Sequence, residues 1–436
     1  MEQSGPVRTQ TRVNGAIDAG GSEGWTMKWS GGARAGRARN GIGLLVLAAT
    51  LGGACGQAIG GAAASRTSAA ASTVAAGSAV RATAANSARA SAAASPATAG
   101  PRIAVDGRIL AGFMSAGVEH YILLDGTTEL EVFTASDCRP CVWPSTDGDL
   151  MVTPTVTSTG QLSAAVYTTG ELTGRALPLP DGTINLAAGP WSPTADRFAR
   201  AGWDDTDPGR QGVYTTKADG AGLKRITASP DGRIQEPLAW SARGNWIAVF
   251  QEHPRASGPH FGDVLIVSAD GAKVRQVNPD GTAIIGIFDF GPPLSFSPDG
   301  RQIAFAARDT AAPDQSAVFV ASTAGGKARR ITSWAPGTMI ASWSPDGASI
   351  LFDRTEAAGP VIALIRPDGT GERAIWTSTA SDPACCGAWS PTGEQVLVSR
   401  GTGAVGTLWV MDLDGSPDGT LGTRAADWFW YRWLPD

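Results

Sequence analysis

Between Trp143 and the C-terminus, short apolar runs recur at nearly constant spacing, each entered through an aromatic residue and a tight polar turn. Five copies stand out: WSPTADRFARAG from Trp191, WSARGNWIAVF from Trp240, FSPDGRQIAFAA from Phe296, WSPDGASILFD from Trp343 and WSPTGEQVLVS from Trp389. WPSTDGDLMVT from Trp143 is a looser copy, and the chain ends on WLPD from Trp433. The anchors are separated by 48, 49, 56, 47, 46 and 44 residues. Self-similarity at that period means an array of one supersecondary unit.

Within a unit the pattern predicts four antiparallel strands. The anchor closes a short first strand, and Pro298-Asp299-Gly300 or Pro345-Asp346-Gly347 makes the turn into an apolar second strand, as at Ile303 to Ala306. A third strand follows, such as Val264 to Val267 or Val361 to Ile365. Asp-Gly turns at Asp219-Gly220, Asp270-Gly271 and Asp368-Gly369 then lead into the fourth, because glycine takes positive φ without steric cost. Such a unit has two apolar faces that only neighbours can cover. Closing the array into a ring covers them all, which predicts an all-β fold, a β-propeller over residues 102–436. Strands before Trp143 (Asp106 to Ala111, His120 to Leu124, Leu130 to Phe133) form one more unit, and its missing first strand is expected from Asp427 to Trp433. That gives seven blades, with a ring closed by the C-terminal strand; six is the alternative.

Composition agrees. With 56 Gly and 28 Pro in 436 residues, helices would be interrupted too often for a bundle or a doubly wound fold. The net charge of −5 hides two halves: residues 1–101 carry nine basic and three acidic side chains, net +6, which leaves −11 for the rest. An acidic body argues against a nucleic-acid partner, whose phosphates require a basic face.

The amino end reads as an address. From Met27, MKWSGGARAGRARNGIGLLVLAATLGGAC has basic residues, a short apolar run and small residues before Cys55, the layout of a secretory signal. The apolar run is shorter than the roughly 20 residues that span a bilayer. Residues 1–55 are therefore expected to be a leader, with translation starting at Met27. Residues 56–101 are almost wholly Ala, Ser, Thr and Gly and can bury too little apolar area to offset their ordering entropy, so they are expected to be a disordered tether. The run Leu51-Gly52-Gly53-Ala54-Cys55 resembles the bacterial lipobox, which implies a lipid on Cys55 and an anchor in the cell-envelope membrane; Leu51 stands one position further out than in the usual pattern. An ordinary signal peptide and a secreted protein are the alternative.

The repeats resemble the TolB-like, WD40-like (PD40) propeller repeats, whose signature is W-S-P-D-G followed by an I-A-F-type strand. The resemblance covers most of residues 102–436 and implies an exported propeller used for protein or ligand binding. It departs from TolB in having a low-complexity tether where that protein has a folded α/β domain. The anchors Trp143, Trp191, Trp240, Phe296, Trp343, Trp389 and Trp433 are expected to be structural, packing between blades.

Candidate chemistry is sparse. Cys138 and Cys141, and the adjacent Cys385 and Cys386, precede Trp143 and Trp389 by two to five residues, which places all four in links entering a first strand. In an exported protein an even set favours disulfides, and adjacent cysteines suit a zinc site poorly. His253 and His260, with Glu252 and Asp263, could form a metal or catalytic pair, or a plain loop; Asp204, Asp205 and Asp207 could offer oxygens to calcium but lack EF-hand spacing. His120 is the third histidine. No nucleophile elbow, P-loop or dinucleotide fingerprint occurs. No catalytic residue, metal or cofactor is therefore expected. Two function classes follow: a monomeric, membrane-anchored scaffold binding a protein, peptide or glycan, and a propeller enzyme, a hydrolase or lyase on carbohydrate or a small ester, working at the central channel.

Overall fold

The computed structural model describes residues 107–434, apart from 116–117, 126–127, 136–141, 170–173, 230, 254–260, 286–292, 358, 380–383 and 402–405. The leader, the tether, Cys55, Cys138, Cys141 and His260 lie outside the described residues. What is described is all-β, interrupted by one 3₁₀ turn at Pro208–Arg210. Units are named below by their anchor residue.

The units anchored at Trp143, Trp191 and Trp343 are separate four-stranded antiparallel sheets. The Trp343 unit illustrates the order: Ala341–Trp343, Ile350–Glu356, Gly359–Ile365 and Arg373–Thr377 pair in succession. The units anchored at Trp240 and Phe296 merge into one ten-stranded sheet, because the short strand Thr282–Ile285 pairs with both Phe261–Ser268 and Gln302–Asp309. A seven-stranded sheet joins the two ends of the body. In it Pro417–Leu434 pairs through its first half with Gly406–Asp412 and through its second half with Arg108–Ser115, which is followed by Val118–Asp125 and Thr128–Ala135.

The second strands read as near-continuous apolar runs because both of their faces are covered. In Gln302–Asp309, Ile303, Phe305 and Ala307 pack with Ala248, Phe250 and Ile266 of the preceding unit, while Ala304 packs with Trp343, Ile350 and Phe352 of the following one. Phe305 pairs directly with Phe319, their rings stacked at 5.7 Å. Each fully buried side chain of this kind stabilises the fold by roughly 1.5–3 kcal/mol.

One expectation needs correction. Cys385 and Cys386 are not in a link but inside the first strand Ala384–Trp389. The strand tolerates them there because its register shifts between Cys385 and Ala388, and Cys386 takes φ 67°. Cys386 is buried and disulfide-bonded.

Candidate functional site

The two edges of these sheets differ, and the difference locates the candidate site. One edge carries the first-to-second and third-to-fourth turns and repeats from unit to unit. In the Phe296 unit, Ser297 Oγ donates to Asp299 Oδ1 at 2.6 Å, and that oxygen also accepts from Arg301 N at 3.0 Å. Ser344 and Asp346 repeat the arrangement, with Ala348 N donating. The serine hydroxyl bonds hold both carboxyls below the usual aspartate range. Successive turns stack proline on glycine: a Cβ on Gly244, Gly347 or Gly393 would meet Pro193, Pro298 or Pro345 at 3.2–3.5 Å.

The anchors pack and bond between units. The indole Nε1 of Trp191, Trp240 and Trp389 donates to Trp143 O, Pro190 O and Ser342 O of the preceding unit, at 2.9, 2.9 and 3.1 Å. Trp343 follows a phenylalanine-anchored unit, and its buried Nε1 has no partner among the described residues. Trp433 is buried against Ile109, its register partner on the second strand of the first unit.

A second repeating device was missed by alignment on the anchors. One basic residue at a constant register of five fourth strands reaches a carbonyl in the third-to-fourth turn of the next unit: Arg175 to Ala218 O, Lys224 to Asp270 O, Arg275 to Ala324 O, Arg329 to Asp368 O and Arg373 to Leu413 O, at 2.6–2.9 Å. The signal was present, a Lys or Arg beginning or centring these five short fourth strands, but an isolated surface charge has no periodic apolar partner to mark it.

The opposite edge carries the second-to-third turns and the links between units, and among the described residues it does not repeat. In the Trp191 unit Arg210 bridges Asp181 (2.8 Å) and the buried Asp204 (2.9 Å). Asp204 Oδ1 accepts from Thr206 N, Thr206 Oγ1 and Asp207 N, and Asp207 Oδ1 accepts from Gly209 N. These carboxylate oxygens close their own turn and hold Arg210, which leaves little for calcium. The Thr206, Thr183 and Asp207 bonds outweigh burial and bring the Asp204 pKa down to about 2.

In the Trp240 unit His253 Nε2 meets Asp263 Oδ1 at 3.0 Å, and Gln276 Nε2 and Asn278 Nδ2 donate to the same oxygen. Asn278 in turn accepts from Val264 N, so the carboxylate is fixed from the backbone outward. Beside this pair Thr227 donates to Gln235. Glu252, the last residue of the second strand, is buried. His120 lies elsewhere, stacked on Phe113 at 5.1 Å and bonded through Nδ1 to Glu131. Among the described residues no group of three His, Cys, Asp or Glu is placed to hold a metal ion.

The Trp343 unit contributes a buried acid that no sequence pattern singles out. Asp353 Oδ1 accepts from Met339 N (3.2 Å) and Ile340 N (2.9 Å) of the link entering its own first strand. Among the described residues no cation pairs with it, and burial pushes its pKa up to about 6. Nearby in the Trp389 unit, Arg400 lies between the rings of Trp376 and Trp409, 4.5 and 4.6 Å from their centroids.

No family model matches the sequence, and no curated protein matches it. Among solved structures, prolyl endopeptidases are similar at a TM-score of 0.50 and 11% identity, over 74% of this chain and 50% of theirs. TolB from Acinetobacter baumannii gives 0.41 at 13% identity over 76% of this chain and 83% of its own. Oligogalacturonate lyase from Vibrio parahaemolyticus gives 0.47 at 11% over 70% and 91%. Both of these are β-propellers. The four-stranded antiparallel sheets give the class of fold, and likenesses at such low identity say nothing about activity.

Proposed function

We propose that this protein is an exported seven-bladed propeller, tethered to the cell envelope through a lipid on Cys55, whose non-repeating face binds a protein, peptide or glycan. The strand pairings support seven blades, since they sort into seven sets of four, and the double pairing of Pro417–Leu434 supports closure of the ring by the C-terminal strand. The observation that carries the binding role is the contrast between the two edges. Turns that only build the ring converge on one hydrogen-bonding pattern, whereas a recognition surface needs side chains that differ from blade to blade.

Crosslinking in the native envelope tests this. Charge reversal at Arg233, in the link that enters the strand Gln235–Trp240 on the non-repeating face, should abolish the crosslinked partner, while reversal at Arg301 on the repeating face should leave it. Equal capture by both variants would refute the placement of the site. Labelling with a lipid precursor, lost in Cys55→Ala, tests the anchor separately.

The enzyme reading draws on one observation, the imidazole of His253 oriented by Asp263 through Nε2, an arrangement that leaves Nδ1 to take a proton. Turnover of a carbohydrate or ester substrate by the purified body, abolished in His253→Gln, would favour it over the scaffold.

A further inference from the structure

Between the link 332–338 and the strand Ile350–Glu356 lies a cavity of about 220 Å³, lined by Thr332, Ser333, Ala335, Thr338, Phe352, Arg354 and Glu372. It is smaller than the ~300–1,000 Å³ of sites for drug-sized ligands, so it suits a single ring. Its wall is fixed at both ends. Thr332 Oγ1 accepts from Val318 N at 3.0 Å, Ser316 Oγ donates to Ala335 O at 3.2 Å, and Asp353 holds Met339 N and Ile340 N at the far end of the link. Gly337, at φ 72°, lets the link lie against Thr355, where any Cβ would come within 2.2 Å of Oγ1.

The polar groups define what could occupy it. Arg354 donates to Glu356 Oε1 through Nε at 2.9 Å, with Nη2 at 2.8 Å, and to Glu372 Oε1 through Nη1. One guanidinium is thus shared by two carboxylates, a local net charge of −1 that disfavours an anionic ligand. Among the described residues the second oxygen of Glu372 accepts no hydrogen bond, and the hydroxyls of Ser333 and Thr338 make none. An acceptor, two hydroxyls and the partly exposed methyl of Ala335, above the buried ring of Phe352 on which Arg354 lies at 5.9 Å, match the alternating O–H and C–H surface of a sugar.

We propose that this cavity binds one neutral, uncharged pyranose residue, as a free glycoside or as the end of a glycan chain. The proposal rests on the reading of the protein as a binding scaffold and narrows its ligand. The test is calorimetric titration of the full chain with the methyl glycosides of galactose, glucose, mannose and N-acetylglucosamine, and with galacturonate as the charged counterpart. At least one neutral glycoside should bind saturably, and galacturonate at least about tenfold more weakly. Glu372→Gln and Thr338→Val should each weaken the neutral glycoside by about tenfold, the loss expected for one hydrogen bond to a charged or buried group. Both variants should retain the wild-type unfolding midpoint; if Thr338→Val does not fold, Ser333→Ala on the same wall replaces it. Absence of saturable binding by every neutral glycoside, equal binding of galacturonate, or affinity unchanged by the substitutions would each overturn the proposal. Should the crosslinked partner persist while no glycoside binds, the scaffold reading stands and only the ligand assignment falls.

Discussion

Single residues set the local conflicts in this molecule. In the turn after Trp191 the position that is glycine in the other close copies is Ala195, and it takes φ 53°. The left-handed region costs a Cβ-bearing residue roughly 1 kcal/mol. Ala195→Gly is therefore expected to stabilise the protein by about 1 kcal/mol, less a few tenths for the added freedom of the unfolded chain, read from urea denaturation. Asp353 is the larger case. Its folded pKa of about 6 lies above the ordinary 3.8, so the folded state holds the proton more tightly than the unfolded chain. Below pH 3.8 both states are protonated and nothing is lost; stability then falls as pH rises through the interval and the full cost, about 3 kcal/mol, applies above pH 6. Asparagine keeps an oxygen for Met339 N and Ile340 N but cannot ionise. Asp353→Asn should raise the unfolding free energy at pH 8 and leave it nearly unchanged at pH 4; a gain independent of pH would contradict this account.

At the scale of the elements, the anchors and their turns hold neighbouring blades together. Trp191 and Trp343 are both buried, at 4% and 7% exposure, but only Trp191 uses its indole N–H across the boundary. Trp191→Phe loses that bond, whereas Trp343→Phe removes a buried donor that has no partner among the described residues. Denaturation should show the first substitution to be more destabilising by about 1–2 kcal/mol. The cause is upstream of Trp343 itself. The preceding unit is anchored by Phe296, and there Ser295 Oγ takes the backbone N–H of Trp343 at 2.8 Å. A copy of the motif that looks the same in sequence is thus bonded differently according to its neighbour.

For the whole molecule, the strand Pro417–Leu434 is the most consequential element, because it belongs to the last unit and the first at once. Deleting residues 427–436 would uncover Ile109, Ala111 and Phe113, now packed with Trp428, Tyr431 and Trp433. The truncated chain is expected to lose cooperative unfolding or to melt far below the full chain by calorimetry. An unchanged midpoint would refute joint closure by the two ends. The basic side chains that tie five of the fourth strands to the next unit run from Arg175 to Arg373, and the seam between the last unit and the first relies on this shared strand.

The sequence by itself determined the units, their period and their turns. An aromatic residue, Pro-Asp-Gly and an apolar run are local requirements, imposed by φ restrictions and by strands that must be apolar on both faces. It also showed which cysteines and histidines exist, but not their settings. That Cys386 would sit inside a strand, that Asp204 would hold Arg210, and that Arg200 and Asp353 would be buried at 1% and 7% exposure could not be read from position, since a charged residue in an apolar run looks the same whether it faces water or protein. Those outcomes depend on which blades become neighbours and how their sheets twist together. Only the tertiary structure sets the contacts between residues roughly 40 to 50 positions apart, so only it could separate the repeating edge from the non-repeating one and open the cavity beside Arg354.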